Sequence, residues 1–265
     1  MRVAMAQLLV HGGEPARNLA AAARMVRRAA LEACRLVVLP ECLDYGWTHP
    51  AALHGHFDTL ARLQHQAAAN SIHLAAGFVE RAGNRLFNAA VLIAPSGQVL
   101  LHHRKLNELA LAAPLYSPGS SLAVADTAFG RAGLLICADL FPTTLEYARA
   151  LARMRAQWIL SPSAWAVEAH HDNTLEPYGA LWLGAYRAVT RDFPLTIVGV
   201  SNVGWLSAGP WAGRKCIGCS LAIGPNGQLL AQAPYGPDAE HLAIFEAPLH
   251  PPPPPYSPAN PIPLA

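Results

Sequence analysis

A carboxylate, an ammonium and a thiol stand where three strands of this chain are expected to end: Glu41, Lys105 and Cys137. Cys137 closes the apolar run Gly133-Leu134-Leu135-Ile136, and a helix-like segment, Pro142 to Arg155, follows. A thiol between a buried strand and a helix start lies near free backbone N–H groups and the positive end of the helix. That setting lowers a thiol pKa and makes a nucleophile. Taken alone, Cys137 reads as a core residue, because free cysteines are among the most buried side chains. Two further segments reverse that reading. Leu36-Val37-Val38-Leu39-Pro40 is a short β-branched, apolar run, read as a buried strand, and it ends in Glu41. His102-His103-Arg104-Lys105-Leu106-Asn107-Glu108 follows a Pro95-Ser96-Gly97 turn and a short strand, Gln98 to Leu101. In layered α/β folds the strand ends are where ligands bind. Singly, Glu41 reads as a surface residue and Lys105 as part of a solvated basic run.

The surrounding motifs are Met1-Arg2-Val3-Ala4-Met5-Ala6-Gln7, Leu39-Pro40-Glu41, Arg104-Lys105, Tyr116-Ser117-Pro118-Gly119 and Leu135-Ile136-Cys137-Ala138-Asp139. Leu160-Ser161-Pro162-Ser163-Ala164-Trp165, Val200-Ser201-Asn202-Val203-Gly204 and Gly218-Cys219-Ser220 follow. Through these the chain resembles the nitrilase superfamily of carbon–nitrogen hydrolases over roughly residues 1 to 248. The resemblance implies a Glu41–Lys105–Cys137 triad on a four-layer α-β-β-α sandwich, without metal or cofactor. Attack on an amide-like carbon needs a nucleophile, a proton carrier and an oxyanion site. Cys137 would form a thioester, and Glu41 would carry the proton and later activate water. Lys105, cationic beside a carboxylate, would hold the oxyanion together with the backbone N–H of Ala138.

Three positions depart from the family. Many members carry a second glutamate eight positions after the lysine, where this chain has Ala113. Glu108 either supplies that carboxylate from another backbone position or is a solvated turn residue. Nitrilases proper usually read Cys-Trp-Glu at the nucleophile; Cys137-Ala138-Asp139 leans toward amides or carbamoyl groups. In place of Phe-Pro-Glu stands Phe141-Pro142-Thr143, with Glu146 three residues on, which reads as a capping box for the next helix.

The elements that must position these residues alternate. Strands are predicted at Arg2–Leu8, Leu36–Pro40, Ile72–Glu80, Leu86–Ala94, Gly133–Ile136, Trp158–Ser161, Thr196–Ser201, Ile217–Ile223 and Leu242–Phe245. Helices are predicted at Pro15–Cys34, Phe57–Asn70, Thr144–Arg155 and Gly179–Arg191. In the first helix Leu19, Ala22, Ala23, Val26, Ala30 and Ala33 form an apolar stripe, and Arg24, Arg27 and Arg28 a solvated face. A carbon–nitrogen hydrolase domain is expected over 1–248 and an extended, proline-rich tail over 249–265.

With 265 residues, the chain suits one large domain. Hydrophobic residues make up 52% and charged residues 14%, so broad surfaces should be buried between layers or subunits, as in a homodimer or larger homo-oligomer. A net charge of +2 without a dense Lys/Arg stripe argues against nucleic acid. No apolar run approaches the ~20 residues that cross a bilayer, and Val3 to Val10, carrying Gln7, reads as a strand rather than a signal peptide. Five cysteines suggest free thiols in a reducing cytoplasm. Cys216-Ile217-Gly218-Cys219 lacks the second ligand pair of a zinc site and reads as a structural strand. For a small-molecule substrate, Tyr45, Trp47 and Trp165 are candidate apolar walls, and His171 and Asp172 candidate contacts for a polar end. The rival reading is that the aromatics are core and the histidine pair surface. A further rival is a catalytically silent binding or scaffold member of the family.

Overall fold

The computed structural model describes residues 1–55 and 58–248. The predicted tail over 249–265 therefore lies outside the described residues, as does Phe57 at the start of the second predicted helix.

Two six-stranded sheets face each other. The first is built from β1 (Arg2–Gln7), β2 (Leu36–Val38), β3 (His73–Ala82), β4 (Arg85–Ile93), β5 (Val99–Arg104) and β15 (His241–Glu246), in the order β15-β1-β2-β3-β4-β5. The second contains β6 (Val124–Thr127), β7 (Gly130–Leu134), β8 (Trp158–Ser163), β10 (Thr196–Ser201), β13 (Leu221–Ile223) and β14 (Leu229–Gln232), in the order β14-β13-β10-β8-β7-β6. A small sheet of β9 (Ala166–Val167), β11 (Val203–Trp205) and β12 (Lys215–Ile217) caps one end. Helices α1 (Pro15–Leu31) and α2 (Thr59–Ala69) cover the first sheet, and α3 (Glu146–Arg153) and α4 (Gly179–Thr190) the second. This is the α-β-β-α sandwich that the motifs imply.

Strand alternation explains why both sheet faces are buried. In β1, Val3 and Met5 point into the core between the sheets, while Ala4 and Ala6 point to the core under α1 and α2. β4 repeats this with Ala90 and Leu92 against Ala89, Val91 and Ile93. Strands buried on both faces read as near-continuous apolar runs. Helix α1 buries Leu19, Ala22 and Val26 as predicted, but also Asn18, Ala21, Met25 and Ala29; Ala33 is exposed beyond the helix end. Asn18 is tolerated there because its Nδ2 donates to the carbonyls of His11 and Asp44.

Several boundaries differ from expectation. The predicted strand Ile217–Ile223 breaks in two, because Gly218 (φ +67°) and Cys219 (φ +56°) turn left-handed. The capping box expected from Thr143 and Glu146 is absent: α3 starts at Glu146 itself, with Leu145 as N-cap and no side-chain cap hydrogen bond.

Candidate active site

Glu41 lies just past β2. The chain there is pinned on both sides: Gly77 N–H bonds to Pro40 O at 3.0 Å, and Glu41 N–H reaches across to Ser163 O at 3.2 Å. Gly77 is required by space, since a Cβ there would stand 2.6 Å from Glu41 Cα. The Glu41 side chain is fully buried. Its Oε1 accepts from Lys105 Nζ at 2.7 Å and Asn88 Nδ2 at 2.6 Å, while Oε2 has no hydrogen-bond partner among the described residues.

Lys105 follows β5, and its backbone is fixed by N–H to Asn88 O at 2.9 Å and by Gly119 N–H to its own carbonyl at 2.7 Å. Burial works against the ammonium, but the Glu41 carboxylate above all, with Glu108 beyond it, prevails and raises its pKa well above the ordinary range. Lys105 is therefore a fixed cation.

Cys137 opens a short 3-10 turn, Cys137–Leu140, beyond β7. It is 8% exposed and has φ +44°, a left-handed conformation that non-glycine residues rarely adopt. The expectation of a lowered thiol pKa does not hold. Burial, then the Glu41 carboxylate, push the thiol well up, and Lys105 and the backbone N–H of Ala164 offset only part of this. A four-residue turn has no long helix behind it to supply a positive end, and α3 begins only at Glu146. Burial thus favours the protonated form of the thiol. Ala138 is buried next to it; its carbonyl is taken by Asn107 Nδ2 and Thr144 Oγ1. Its N–H, in the first turn, has no intrahelical acceptor.

Glu108 turns inward. Both carboxylate oxygens are buried without a hydrogen-bond partner among the described residues. Burial pushes its pKa up to about 7; Lys105 pulls it down, and Glu41 and Asp139 push it up. The structure thus brings a second carboxylate to the Glu41–Lys105–Cys137 cluster.

The candidate walls divide. Tyr45 and Trp47 are buried in an apolar cluster with Cys42, Tyr116, Ala164 and Cys216, of which Cys42 and Cys216 lie within electrostatic reach of Glu41. Trp165 follows Ala164 and stacks on Trp182 at 4.8 Å, which in turn stacks on Phe141 at 5.3 Å. His171 is half-buried, edge-on to Tyr178 at 6.3 Å. Asp172 is exposed, and its Oδ1 accepts from Thr174 N–H and Oγ1 at 2.8 and 2.6 Å, so it builds a surface turn. Asp172 is not brought to the cluster.

Sequence reasoning missed Asn88, His103, Asp139 and Tyr178. Burial, then Cys137, raise the Tyr178 phenol, which puts it within electrostatic reach of the thiol. Asn88 had a signal: one amide inside the apolar run Leu86 to Ile93. His103 also had one, two residues from Lys105 and so on the same strand face.

A carbon-nitrogen hydrolase family model matches residues 2–249. A nitrilase of Pyrococcus abyssi is 28% identical over 243 residues, covering 88% of this chain and 85% of its own. An (R)-stereoselective amidase of a Pseudomonas species is 28% identical over 238 residues, covering 88% of this chain and 81% of its own. Among solved structures, an amidase from Nesterenkonia sp. shares the fold, with a TM-score of 0.78 at 22% identity, covering 94% of this chain and 90% of that one.

Proposed function

Because the chain belongs to the carbon–nitrogen hydrolase family, and is an enzyme acting on carbon–nitrogen bonds other than peptide bonds, we propose that it hydrolyses an amide or N-carbamoyl compound through a thioester on Cys137. The observation that carries this reading is the buried Glu41–Lys105 pair at 2.7 Å, with the buried Cys137 thiol within electrostatic reach of both. A thiol held above its ordinary pKa needs a base in place, and Glu41 is that base. As Cys137 Sγ bonds to the substrate carbon, Glu41 takes the thiol proton. The Lys105 ammonium and the Ala138 N–H hold the oxyanion, each such donor being worth about 3–4 kcal/mol. Collapse expels ammonia or an amine, protonated by Glu41. Glu41 then takes a proton from water, which attacks the thioester, releases the acid and returns the thiol. Neither a metal nor a cofactor is needed for these steps.

Glu108 is the second carboxylate: its oxygens, unpartnered among the described residues, suit the substrate's N–H groups, and when ionised it adds to Glu41 in keeping Lys105 cationic. Tyr45, Trp47 and Trp165 serve as apolar walls, with His171 at the rim. Cys137-Ala138-Asp139 favours amides over nitriles, whereas the Pyrococcus abyssi relative is called a nitrilase. Screening amides, ureido acids and nitriles with product analysis decides between them: amine or ammonia release from an amide or carbamoyl compound is expected, and turnover of nitriles alone overturns the reading. The five cysteines are unpaired and buried, which fits a reducing cytoplasm. Among the described residues no helix is long and apolar enough to cross a membrane. The outer face of α4, with Ala180, Leu181 and Gly184 exposed, suits contact with a second copy of the chain.

A further inference from the structure

Lys105 and Cys137 reach the site from different sheets, one from the end of β5 and the other from beyond β7. Catalysis depends on their separation, since a 1 Å misplacement of a reacting group costs on the order of 10²-fold. One fully buried carboxylate spans the two loops. Asp139 Oδ1 accepts from the N–H groups of Leu106 and Asn107, the two residues after Lys105, at 3.0 and 2.7 Å. Its Oδ2 accepts from Ile136 N–H, just before Cys137, at 3.0 Å. The same oxygen lies 3.0 Å from Nε2 of His103, which is buried on β5 two residues before Lys105. A carboxylate taking three backbone donors is an acceptor throughout, so His103 Nε2 carries the proton. Asn107 Nδ2 adds a bond to Ala138 O at 2.8 Å.

The clamp also bears on backbone strain. A left-handed non-glycine residue persists only where its surroundings over-determine it. Asp139 brackets Cys137 in this way, with its own N–H on Ile136 O at 2.9 Å and its carboxylate on Ile136 N–H.

We propose that Asp139 and His103 are positioning residues that fix the Lys105 ammonium relative to the Cys137 thiol, His103 holding the Asp139 carboxylate in the rotamer that ties both loops. The proposal rests on the reading of Lys105 as oxyanion donor. Neither residue acts on the substrate directly.

Two thiol reagents separate positioning from mere structure. With acrylamide, Cys137 Sγ bonds to the β-carbon, the alkene electrons move to make an enolate oxygen, and the thiol proton ends on the α-carbon. Lys105 stabilises that oxygen. With methyl methanethiosulfonate, Glu41 takes the thiol proton, Cys137 Sγ attacks the methylthio sulfur, the reagent's S–S bond breaks and methanesulfinate leaves, so a mixed disulfide forms without an enolate oxygen. Rates are read at the Cys137 peptide by mass spectrometry, with Cys137→Ala as blank. His103→Leu should slow acrylamide addition about tenfold or more, equivalent to about 1.4 kcal/mol of lost transition-state stabilisation. It should slow the disulfide reaction distinctly less, since that reaction feels only the change in thiol acidity as Lys105 shifts and not the lost contact with the enolate oxygen. His103→Gln, which offers an amide N–H near the Nε2 position, should restore the acrylamide rate, and Lys105→Met should slow it. If Lys105→Met slows acrylamide but His103→Leu does not, the clamp is wrong and the oxyanion reading stands. If His103→Leu slows both reagents alike, or His103→Gln fails to restore the rate, the clamp is also wrong. An unchanged acrylamide rate in Lys105→Met removes the oxyanion reading and the clamp with it. Should His103→Leu not fold, the isosteric Asp139→Asn takes its place with the same expected split between reagents.

Discussion

Glu108 holds two buried oxygens without partners among the described residues, beside a cationic lysine, and this makes it an informative residue to change. Glu108→Gln keeps the shape and removes the charge. Turnover of a confirmed substrate should fall about tenfold or more, the scale of ~1.4 kcal/mol of transition-state stabilisation; steady-state kinetics with unchanged kcat would refute the role. The same residue sets a stability trend. Its pKa in the folded chain is about 7 against an ordinary 4.5, so between those values the folded state keeps a proton that the unfolded chain gives up. Stability therefore falls as pH rises through that window and levels off above it. Asp44, pushed by burial to about 6 from 3.8, adds to the fall in its lower part. Urea midpoints at pH 5 and pH 8 should drop for wild type and drop less for Glu108→Gln; equal drops would contradict the assignment. At this scale Glu41 and Cys137 were legible because each closes an apolar run, whereas Lys105, preceded by His102-His103-Arg104, was legible only through the family motif. The thiol's pKa was not, because it is set by burial and by a carboxylate brought in from another sheet. Asp139 and His103 stayed hidden for the same reason: their bond joins residues 36 apart in sequence.

Among the elements, β2 and β3 carry the geometry of Glu41. The close approach is possible only because Gly77 lacks a side chain, a Cβ there meeting Glu41 Cα at 2.6 Å and Pro162 Cβ at 3.0 Å. Gly77→Ala should cost about 1–3 kcal/mol by overpacking. It should also lower kcat far more than that stability loss implies at a temperature where the variant stays folded, because Glu41 is displaced. Thermal melting together with kcat checks this, and a destabilised variant with wild-type kcat would show that Glu41 tolerates the shift. Strands and helices with strong periodicity, such as β1, β4, β10 and α1, were readable from pattern alone. Short elements were not: β6, β9, β11 and β14 have two to four residues each, too few to show a period. The break at Gly218 follows from a distant contact, since Gln7 packs so close that a Cβ at Gly218 would lie 2.3 Å from its side chain.

For the whole molecule, two sheets and two helical layers leave the apolar outer face of α4 facing outward, with Leu181 at 39% exposure and nearby Leu175 at 80%. A homodimer or larger assembly would cover that face. Light scattering at micromolar concentration should give at least twice the chain mass, and Leu181→Arg should shift the distribution toward monomer; a monomeric wild type would reject the assembly. The alternation of strands and helices was legible from pattern, whereas the four-layer sandwich was legible only through the resemblance that the motifs carry. Which faces meet a partner was not, since an alanine-rich helix reads alike against a sheet or a second copy. The central claim is covalent catalysis by Cys137, and trapping the intermediate tests it most directly. Wild-type enzyme mixed with a hydrolysed amide or ureido acid, quenched in acid and digested, should carry the acyl mass on the Cys137 peptide. That mass should disappear on chase and be absent from Cys137→Ala, which should have no turnover, while Cys34→Ala and Cys219→Ala keep theirs. Acyl mass on another residue, or wild-type turnover in Cys137→Ala, would contradict the account.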